Sequence, residues 1–559
     1  MRKVVVLFLM VMLLVGIVAG CTGSKTFKSE DTGYSGIGLD SPSTAKEDKF
    51  KVSEKGVLPI TREKTELTVF MPQQPGVEDY ETNKLTLYLE DKTNVHIKWE
   101  LVPSKDRDQK INLMLAGGNK LPDVIMGGIS NATLIEYASQ GTFLPLNEYI
   151  ETQSAYFKKH LNEVDGMRQM VTAPDGNIYS LNSIGISIPD AMSQRMWINE
   201  KWLENLNLKM PTTTKELKDV LMAFKTKDPN NNNKADEIPM MGATNGWNTT
   251  FDGFLMNSFI QYSPYSPYRV VDGKIEPVYN TEEYRNGIRF LNELVNEGLY
   301  DSVSFTQDID QLKQQFENEE AALIGALPSG GPNSYANMAG DRYRDYAALP
   351  PLEGPDGVRL AGYNPYHYIL YSNTFVITKN CKHPEIAFKW ADYMYSEEVS
   401  MFARLGEPGT DWLEPEEGKL DLYGEPALFK PVLLWGNIQN SHWELWHPSF
   451  VDFDNKGERS DDPYELQRYL FEATYESYEP YAPDASTFLP PFMYSAEDSK
   501  RLNEINTTLA SYIWESRDKF IVGNMDIEND WEQYLGEIKK IGYEEVISIM
   551  QARYDELNK

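Results

Sequence analysis

The hydrophobic period of the first part of the chain changes repeatedly, and this pattern constrains the fold more than any other feature. Residues 67–71 and 95–101 alternate apolar and polar side chains, as strands with one buried face do. Residues 85–89 and 106–116 instead carry apolar stripes at helical spacing, and residues 122–128 are a short apolar run that ends in glycines. The order strand, helix, strand, helix, strand predicts an α/β fold with a mainly parallel sheet.

Ligands of such open sheets sit beyond the carboxyl ends of the strands. Gln73 follows the first predicted strand, and Met126 and Gly127 end the third. The sequence therefore predicts that these three residues lie at the rim of a ligand site.

The rest of the chain continues the mixture of helices and strands. Helices are predicted over 200–206, 214–225, 281–297, 309–321 and 384–395, and a strand over 374–378. The stretch 466–559 is mostly helical. A chain of 559 residues is too long for one compact core. Two α/β lobes with a ligand cleft between them and a helix-rich C-terminal part are the simplest architecture.

The N-terminus has the pattern of an export signal. Arg2 and Lys3 precede an apolar run over residues 4–18, which is short for a membrane-spanning helix. Val18-Ala19-Gly20-Cys21 resembles a bacterial lipobox, whose cysteine thiol is diacylated before the signal is cut off in front of it; the alternative is an ordinary signal peptide with a chance cysteine. We expect a signal peptide over 1–20 and a lipidated, flexible tether over 21–61, poor in large apolar side chains. The protein is then anchored by lipid (palmitate) on the extracytoplasmic face of the cell membrane.

The net charge argues against nucleic acid as a partner, and the cysteine content against a cysteine-based metal or redox site. The formal net charge is −31, which argues against nucleic acid, because phosphate binding needs a basic surface. Apart from Cys21 there is one further cysteine, Cys381, in a polar turn before a predicted helix. Since Cys381 has no partner pattern for a metal or a redox pair, we interpret it as structural.

Three stretches together resemble the family-1 extracellular solute-binding lipoproteins, in the large oligosaccharide-binding branch that includes alginate-oligosaccharide-binding lipoproteins. They are residues 197–217, 224–239 and 377–398, with smaller similarities at 141–146 and 175–179. The resemblance runs from about residue 65 to about residue 400, and 224–239 is its most specific part.

The resemblance implies a type II periplasmic-binding-protein fold and a partner set. The implied N-terminal lobe is 62–185 plus about 330–380, and the C-terminal lobe is 186–329 plus about 381–559. The implied protein is a monomer that captures an oligosaccharide and delivers it to an ABC-importer permease. Hinges near 180–186 and 327–349 are our guesses.

The stretch 224–239 also implies a structural Ca²⁺. Its oxygen donors alternate in the manner that a hard cation with six to eight ligands requires: Asp228, Asn230, Asn232, the carbonyl of Lys234, Asp236 and Glu237. The opening resembles an EF-hand loop, but Asn233 stands where that loop has Gly and Pro239 where it has Glu. The alternative is a metal-free Asn/Asp turn after a helix.

Sugar rings present an apolar face that packs on aromatic side chains, so aromatic residues in predicted loops are the ligand-binding candidates. They are Trp247, Tyr363, Tyr366, Trp412, Trp443 and Trp446. Packing beneath its own loop is the alternative for each of them. Trp197, Trp202 and Trp390 lie in predicted regular elements, and we assign them to the core.

The sequence favours a binding protein over an enzyme. It has no Gly-x-Ser-x-Gly elbow, phosphate loop or dinucleotide fingerprint, and its six histidines show no metal-ligand spacing. A glycoside hydrolase or lyase stays open as an alternative, because two catalytic carboxylates can be far apart in sequence. Capture of a peptide or another small solute is the alternative within the binding class.

Overall fold

Two separate β-sheets organise the chain. The structure is a computed structural model that describes residues 52–118, 120–433 and 438–558. The signal peptide, Cys21 and most of the predicted tether lie outside the described residues. The strands are β1 (Thr65–Gln73), β2 (Val95–Pro103), β3 (Val124–Met126), β4 (Leu181–Gly185), β5 (Met196–Asn199), β6 (Ile238–Met240), β7 (Tyr268–Val271), β8 (Lys274–Pro277), β9 (Ile324–Pro328), β10 (Tyr346–Leu349), β11 (Ile369–Ile377), β12 (Trp412–Leu413), β13 (Lys430–Pro431) and β14 (Ser449–Val451).

Helices cover both large sheets and dominate the C-terminal part, as predicted. They are α1 (Lys84–Thr93), α2 (Arg107–Gly117), α3 (Asn131–Ser139), α4 (Asn147–Gln153), α5 (Phe157–Glu163), α6 (Met167–Val171), α7 (Ile188–Ala191), α8 (Glu200–Asn205), α9 (Thr214–Thr226), α10 (Asp252–Leu255), α11 (Glu282–Asn296), α12 (Ile309–Phe316), α13 (Pro332–Tyr335), α14 (Pro384–Tyr393), α15 (Glu397–Leu405), α16 (Leu466–Ala473), α17 (Ala496–Ile521), α18 (Trp531–Ile541) and α19 (Tyr543–Leu557). The helix α12 is shorter than the predicted 309–321. It ends early because the Asn318 side chain accepts hydrogen bonds from the backbone N–H groups of Glu320 and Ala321 and forms a turn there.

The first sheet has six strands in the order β14-β4-β11-β3-β1-β2. The strand β1 is parallel to β2 and β3, and β14 is parallel to β4, whereas β11 runs antiparallel between β3 and β4. The five strands other than β11 therefore end at one edge. The alternation read from the sequence is confirmed here: Leu67, Val69 and Met71 enter the core on one face of β1, and Phe70 enters a second core on the other.

The second sheet has four strands in the order β10-β5-β9-β6. Its strand β6 is parallel to β9, while β5 is antiparallel to β9 and β10. One face packs on α9, α11 and the C-terminal helices α17–α19. The tryptophans assigned to the core, Trp197, Trp202 and Trp390, are indeed almost wholly buried.

The chain passes between the two sheets through connecting segments. It leaves the six-stranded sheet after β4 and enters the four-stranded sheet at β5, which defines a first crossing over 186–195. It returns between β10 and β11, over 350–368. It passes to the four-stranded side once more after β14, over 452–465, since Leu470 of α16 packs with Trp197 and Leu327. Both predicted hinges fall mainly on strands rather than on a crossing: 180–186 covers β4 of the six-stranded sheet, and 327–349 includes β10 of the four-stranded sheet.

Two predicted lobe assignments also differ from the packing. Residues 330–349, assigned to the N-terminal lobe, include β10 of the four-stranded sheet. The helices α14 and α15, assigned to the C-terminal lobe, contribute Phe388, Trp390 and Phe402 to the core of the six-stranded sheet. The strand β14, within the same predicted C-terminal lobe, likewise belongs to the six-stranded sheet. The other lobe boundaries stay predictions.

Residues 52–61 belong to the folded body rather than to the tether. Val52 pairs with Thr61, the Ile60 side chain is buried, and the Ile60 N–H donates to the carbonyl of Thr93 at 3.0 Å. The Lys389 ammonium also donates to the carbonyl of Ser53. The apolar pair that flanks Pro59, Leu58 and Ile60, is the sequence signal that the composition of the tether concealed.

A buried ion pair fastens α17 to the four-stranded part of the molecule. Arg517 Nη1 lies 2.6 Å from Asp252 Oδ2, and the two side chains are 13% and 2% exposed. The Tyr262 hydroxyl donates to the same carboxylate at 2.8 Å.

We expect Arg517→Met to lower the free energy of unfolding by about 3 kcal/mol, because it leaves the buried Asp252 carboxylate without its cation. The matched control is Arg501→Met in the same helix, whose partner Glu545 is 46% exposed and whose own side chain is 47% exposed. That change should cost less than about 1 kcal/mol. Urea unfolding at neutral pH measures both, and equal small losses would contradict the assignment.

Candidate functional site

A cleft of about 260 Å³ lies between the two sheets. Its walls come from β4, the first crossing, the loop after β6, the segment before β11, the end of α15 and the region around β14. The lining residues are Ser183, Gly185, Ile186, Ser187, Asp190, Trp247, His367, Ala403, Arg404, Glu444, Leu445, His447, Ser449, Val451 and Asp454. The cleft thus sits at the carboxyl ends of β4 and β14, on the edge where β1 and β3 also end.

Trp247 is the aromatic wall on the side of the four-stranded sheet. It follows β6, and its ring packs on the backbone of Gly330, which follows the parallel neighbour β9. A Cβ atom at Gly330 would lie 2.2 Å from the Trp247 ring. The Gly330 N–H also donates to the Trp247 carbonyl at 2.7 Å. The part of the indole that stays exposed lines the cleft.

The next residue, Asn248, holds this loop in place. Its backbone has φ +56°, a left-handed conformation that Asn tolerates better than most residues. Its side-chain amide donates to the carbonyl and hydroxyl of Ser193, and its oxygen accepts from Gln194 at 2.8 Å and from Tyr265 at 2.7 Å. The loop that carries Trp247 is therefore tied to the first crossing.

The opposite wall carries a bidentate ion pair. Arg404, at the end of α15, donates from Nε and Nη2 to the two oxygens of Asp454 at 2.9 and 2.8 Å. The Asp454 side chain is 11% exposed. Below the pair, the hydroxyls of Ser183 and Ser449 are 2.9 Å apart, across the parallel strands β4 and β14. The polar side chains of this wall are therefore fixed in position by hydrogen bonds to one another.

Two further carboxylates line the cleft. Asp190 lies in the short helix α7 and accepts no hydrogen bond from the described residues. Glu444 has φ +64°, and burial raises the pKa of its carboxyl. Its Oε1 lies so close to Gly76 that a Cβ atom there would be 2.0 Å away. Asp190 therefore offers acceptor oxygens to a ligand, and the position of Glu444 depends on the loop after β1.

The histidines of this region are held in their neutral form at physiological pH. Burial lowers the pKa of His447, and burial together with the nearby His447 and Arg404 lowers the pKa of His442 to about 4. The Nδ1 atom of His442 accepts from the Glu444 N–H at 3.1 Å. Burial also lowers the pKa of His367, against the opposing field of Asp190. His367 and His447 line the cleft and add hydrogen-bonding groups but no positive charge.

One of the nine predicted ligand residues, Trp247, lines the cleft. Trp446 lies beside the cleft. The Trp446 ring packs against Gly128 at the end of β3, and the Arg107 guanidinium lies 4.3 Å above that ring. Gln73 is exposed at the end of β1, and Gly127 packs behind Pro72.

The other predicted ligand residues lie elsewhere. Trp443 is a wrong assignment: it is fully buried, and its indole N–H donates to Thr86 at 2.8 Å. Met126 is likewise fully buried in the core of the six-stranded sheet. Trp412 packs on the cluster around Phe429, and Tyr363 and Tyr366 make edge contacts with Phe488 and Tyr368 and are not among the lining residues.

Sequence reasoning missed the four charged lining residues Asp190, Arg404, Glu444 and Asp454. They come from four separate segments that the fold brings together. Asp190 alone has a local signal, since it follows Pro189 in the first turn of a short helix. The others have none.

The predicted metal loop, 228–237, forms a tight turn between α9 and β6. Asn231 and Asn233 have positive φ, and the Asp228 carboxylate accepts from the backbone N–H groups of Asn232 and Asn233 at 3.0 Å each. The Asp236 carboxylate accepts from the side-chain amides of Asn230 at 3.2 Å and Asn232 at 3.0 Å. The Lys234 N–H donates to Asn232 Oδ1 at 2.7 Å.

The residues of this loop fit a hard cation in their chemistry. Glu237 Oε1 is buried and has no hydrogen-bond partner among the described residues, and burial with the nearby Asp236 and Asp228 raises the pKa of this carboxyl. A cation would satisfy that oxygen. In the described part of the chain, however, no group of three or more His, Cys, Asp or Glu side chains is gathered closely enough to form a metal site.

Two α/β sheets with separate cores and a polar, aromatic-walled cleft between them define a binding protein of the periplasmic-binding fold. The profile of the bacterial extracellular solute-binding protein family matches residues 73–401, and the chain belongs to this family.

The chain is also similar to individual relatives. It is 29% identical over 553 residues to the fructooligosaccharide ABC transporter substrate-binding protein FusA of Streptococcus pneumoniae, covering 97% of this chain and 96% of FusA. It is 25% identical over 355 residues to the polygalacturonan/rhamnogalacturonan-binding protein YtcQ of Bacillus subtilis, covering 63% of this chain and 62% of YtcQ.

Solved structures of FusA match as well. FusA in complex with kestose gives a TM-score of 0.73 and a FusA EF-hand mutant with fructo-nystose gives 0.72, each at 26% identity over 88% of this chain and 99% of FusA. Within the described residues, no helix combines the length and the apolar composition needed to cross a bilayer.

We expect Gly330→Ala to displace the Trp247 ring, because the added methyl group would overlap it. The change should alter tryptophan near-ultraviolet circular dichroism and weaken ligand binding roughly 10-fold while the melting temperature stays within a few degrees. Gly536→Ala, whose Cβ meets nothing within 4 Å, is the matched control. Spectra and affinities identical in the two variants would contradict the platform role of Gly330.

Proposed function

We propose that this protein captures an oligosaccharide in the cleft and delivers it to the permease of an ABC importer. The observation that carries the proposal is the cleft itself, where an aromatic face, Trp247, stands opposite hydroxyl-binding carboxylates. An aromatic ring packs on the apolar face of a sugar, and carboxylates accept from its hydroxyls. The near full-length similarity to FusA supports the same ligand class.

Capture without turnover is part of the proposal. The relative FusA is named as a substrate-binding component of a transporter. The two walls of the cleft belong to sheets joined by the crossings 186–195 and 350–368, so a ligand that contacts both walls would favour a closed form. The permease would then recognise the closed form of a monomer.

Membrane attachment through lipidated Cys21 is proposed on the sequence alone. Residues 1–20 would be removed, and two or more acyl chains on Cys21 would hold the protein stably on the bilayer. Mass spectrometry of the mature N-terminus tests this directly, because an unmodified N-terminus at another residue would exclude the anchor.

The first experiment is a thermal-shift screen of the chain without residues 1–21, against oligosaccharides and peptides. A ligand that binds the folded state raises the melting temperature. We expect oligosaccharides to do so, to be recovered unhydrolysed, and to bind Trp247→Ala roughly 10-fold more weakly. Trp514→Ala, in α17 and outside the cleft, is the control. Stabilisation by peptides alone, or hydrolysis of the sugar, would overturn the proposal.

We also propose that Asp228, Asn230, Asn232, the Lys234 carbonyl, Asp236 and Glu237 hold a structural Ca²⁺. The ion would fix the loop between α9 and β6 and satisfy the buried Glu237 oxygen. The existence of an EF-hand mutant of FusA supports the assignment by similarity.

If this is right, EDTA lowers the melting temperature by several degrees and Ca²⁺ restores it, since metal binding stabilises the folded state. The variant Asp228→Ala should melt lower and ignore both reagents, while the control Asp356→Ala, in an exposed turn, behaves as the wild type. Elemental analysis that finds no calcium, together with equal melting in EDTA and Ca²⁺, would contradict the site.

A further inference from the structure

The charged groups that line the cleft are mainly acidic. They are the carboxylates of Asp190, Glu444 and Asp454 and the guanidinium of Arg404. Arg404 donates to both oxygens of Asp454, so its charge is engaged by the protein. His367 and His447 add no charge at neutral pH because burial lowers the pKa of each.

A second cation, Arg195, lies behind this surface. It is fully buried, and it donates to the carbonyls of Pro189 and Gly330 and to the Thr474 hydroxyl. Its field reaches Asp190, but its N–H groups face the protein interior. A third cation, Arg107, lies over the Trp446 ring, outside the lining residues, and donates from Nε to Asp108 at 2.8 Å. Among the residues that line the cleft, therefore, no cation offers a ligand carboxylate the paired N–H groups that recognition of a carboxylate uses.

Asp454 is paired with Arg404, whereas Asp190 and Glu444 are half-buried and accept no side-chain hydrogen bond from the described residues. The Oε1 atom of Glu444 packs against Gly76, while Asp190 lies in the first crossing, to which the loop that carries Trp247 is tied. It can accept from a sugar hydroxyl, which an uncharged sugar supplies in quantity. A uronate carboxylate at the same place would meet a like charge. The net charge of −31 for the whole chain adds a long-range repulsion of the same sign.

We propose that the cleft selects uncharged oligosaccharides and rejects uronic-acid oligosaccharides, with Asp190 as a specificity-determining residue. The inference rests on the proposed function. Similarity alone does not decide whether the ligand is charged, since FusA is named for fructooligosaccharides and YtcQ for polygalacturonan and rhamnogalacturonan. The distinction comes from the charges of this cleft.

The test uses the whole folded chain and ligand pairs that share a linkage and differ in a carboxylate. Galactotriose is paired with trigalacturonate and mannotriose with trimannuronate, and kestose is added as a further uncharged ligand. Calorimetry at neutral pH and moderate salt gives each affinity. We expect binding of at least one uncharged ligand, and roughly 100-fold weaker or no binding of every uronate, because the like charges are close and poorly screened.

Asp190→Asn tests the residue itself. We expect it to bind the uncharged ligand roughly 10-fold more weakly, because an ionised acceptor is lost. Asp190→Asn should also reduce the ratio between the affinity for the uncharged ligand and the affinities for the uronates. The control Asp272→Asn, in the exposed turn between β7 and β8, removes one charge outside the cleft and should change neither value.

The outcomes separate the two proposals. A uronate that binds as tightly as its uncharged partner overturns the selectivity and leaves oligosaccharide capture standing. Failure of every sugar to bind overturns oligosaccharide capture and the selectivity with it. If Asp190→Asn and Asp272→Asn behave alike, the assignment of Asp190 is wrong.

Discussion

The guanidinium of Arg195 is fully buried, and among the described residues it pairs with no carboxylate, so its hydrogen bonds must go to the backbone and to a hydroxyl. They join three segments: the Pro189 carbonyl in the first crossing, the Gly330 carbonyl after β9, and the Thr474 hydroxyl at the start of a π-helical turn. Burial lowers the pKa of Arg195 only to about 10, so the group stays charged at neutral pH. Moving any of the three segments away would leave a buried charge without acceptors, which costs several kcal/mol. One wall of the cleft depends on this single side chain, because Gly330 in turn supports Trp247.

The wall formed around β14 is held instead by strand pairing and by the packing of the preceding loop on α1. The strand β14 adds to the edge of β4 in parallel, and this pairing carries Ser449 and Val451 into the cleft. The loop before β14 is docked on the N-terminus of α1, where Asn83 donates to the His442 carbonyl at 3.1 Å. Each wall is therefore rigid within its own core. The crossings 186–195, 350–368 and 452–465 are the segments in which backbone rotation would change the width of the cleft.

The sequence was most informative where the signal is local. The period-two pattern of β1 and the burial of Trp197 follow from neighbouring residues alone, and the amphipathic helices were found for the same reason. Of the site, Trp247 was found because a glycine precedes it in an evident loop. Arg404 and Asp454 could not be predicted, because no local sequence pattern links them. The pairing of β14 with β4 brings the segment after β14 beside the end of α15. Trp443 was wrongly predicted because its polar neighbours indicate an exposed loop. That loop packs on α1, and this contact buries the indole.

The cleft between the two sheets is the place where we expect the ligand to bind. A crystal structure of the protein with a bound oligosaccharide tests this most directly. We expect a sugar ring against the exposed part of Trp247, with hydroxyls directed to Asp190 and to the Arg404–Asp454 pair, and both sheets in contact with the ligand. A sugar bound elsewhere, for example beside Tyr363 or Trp412 and touching one sheet alone, would contradict it.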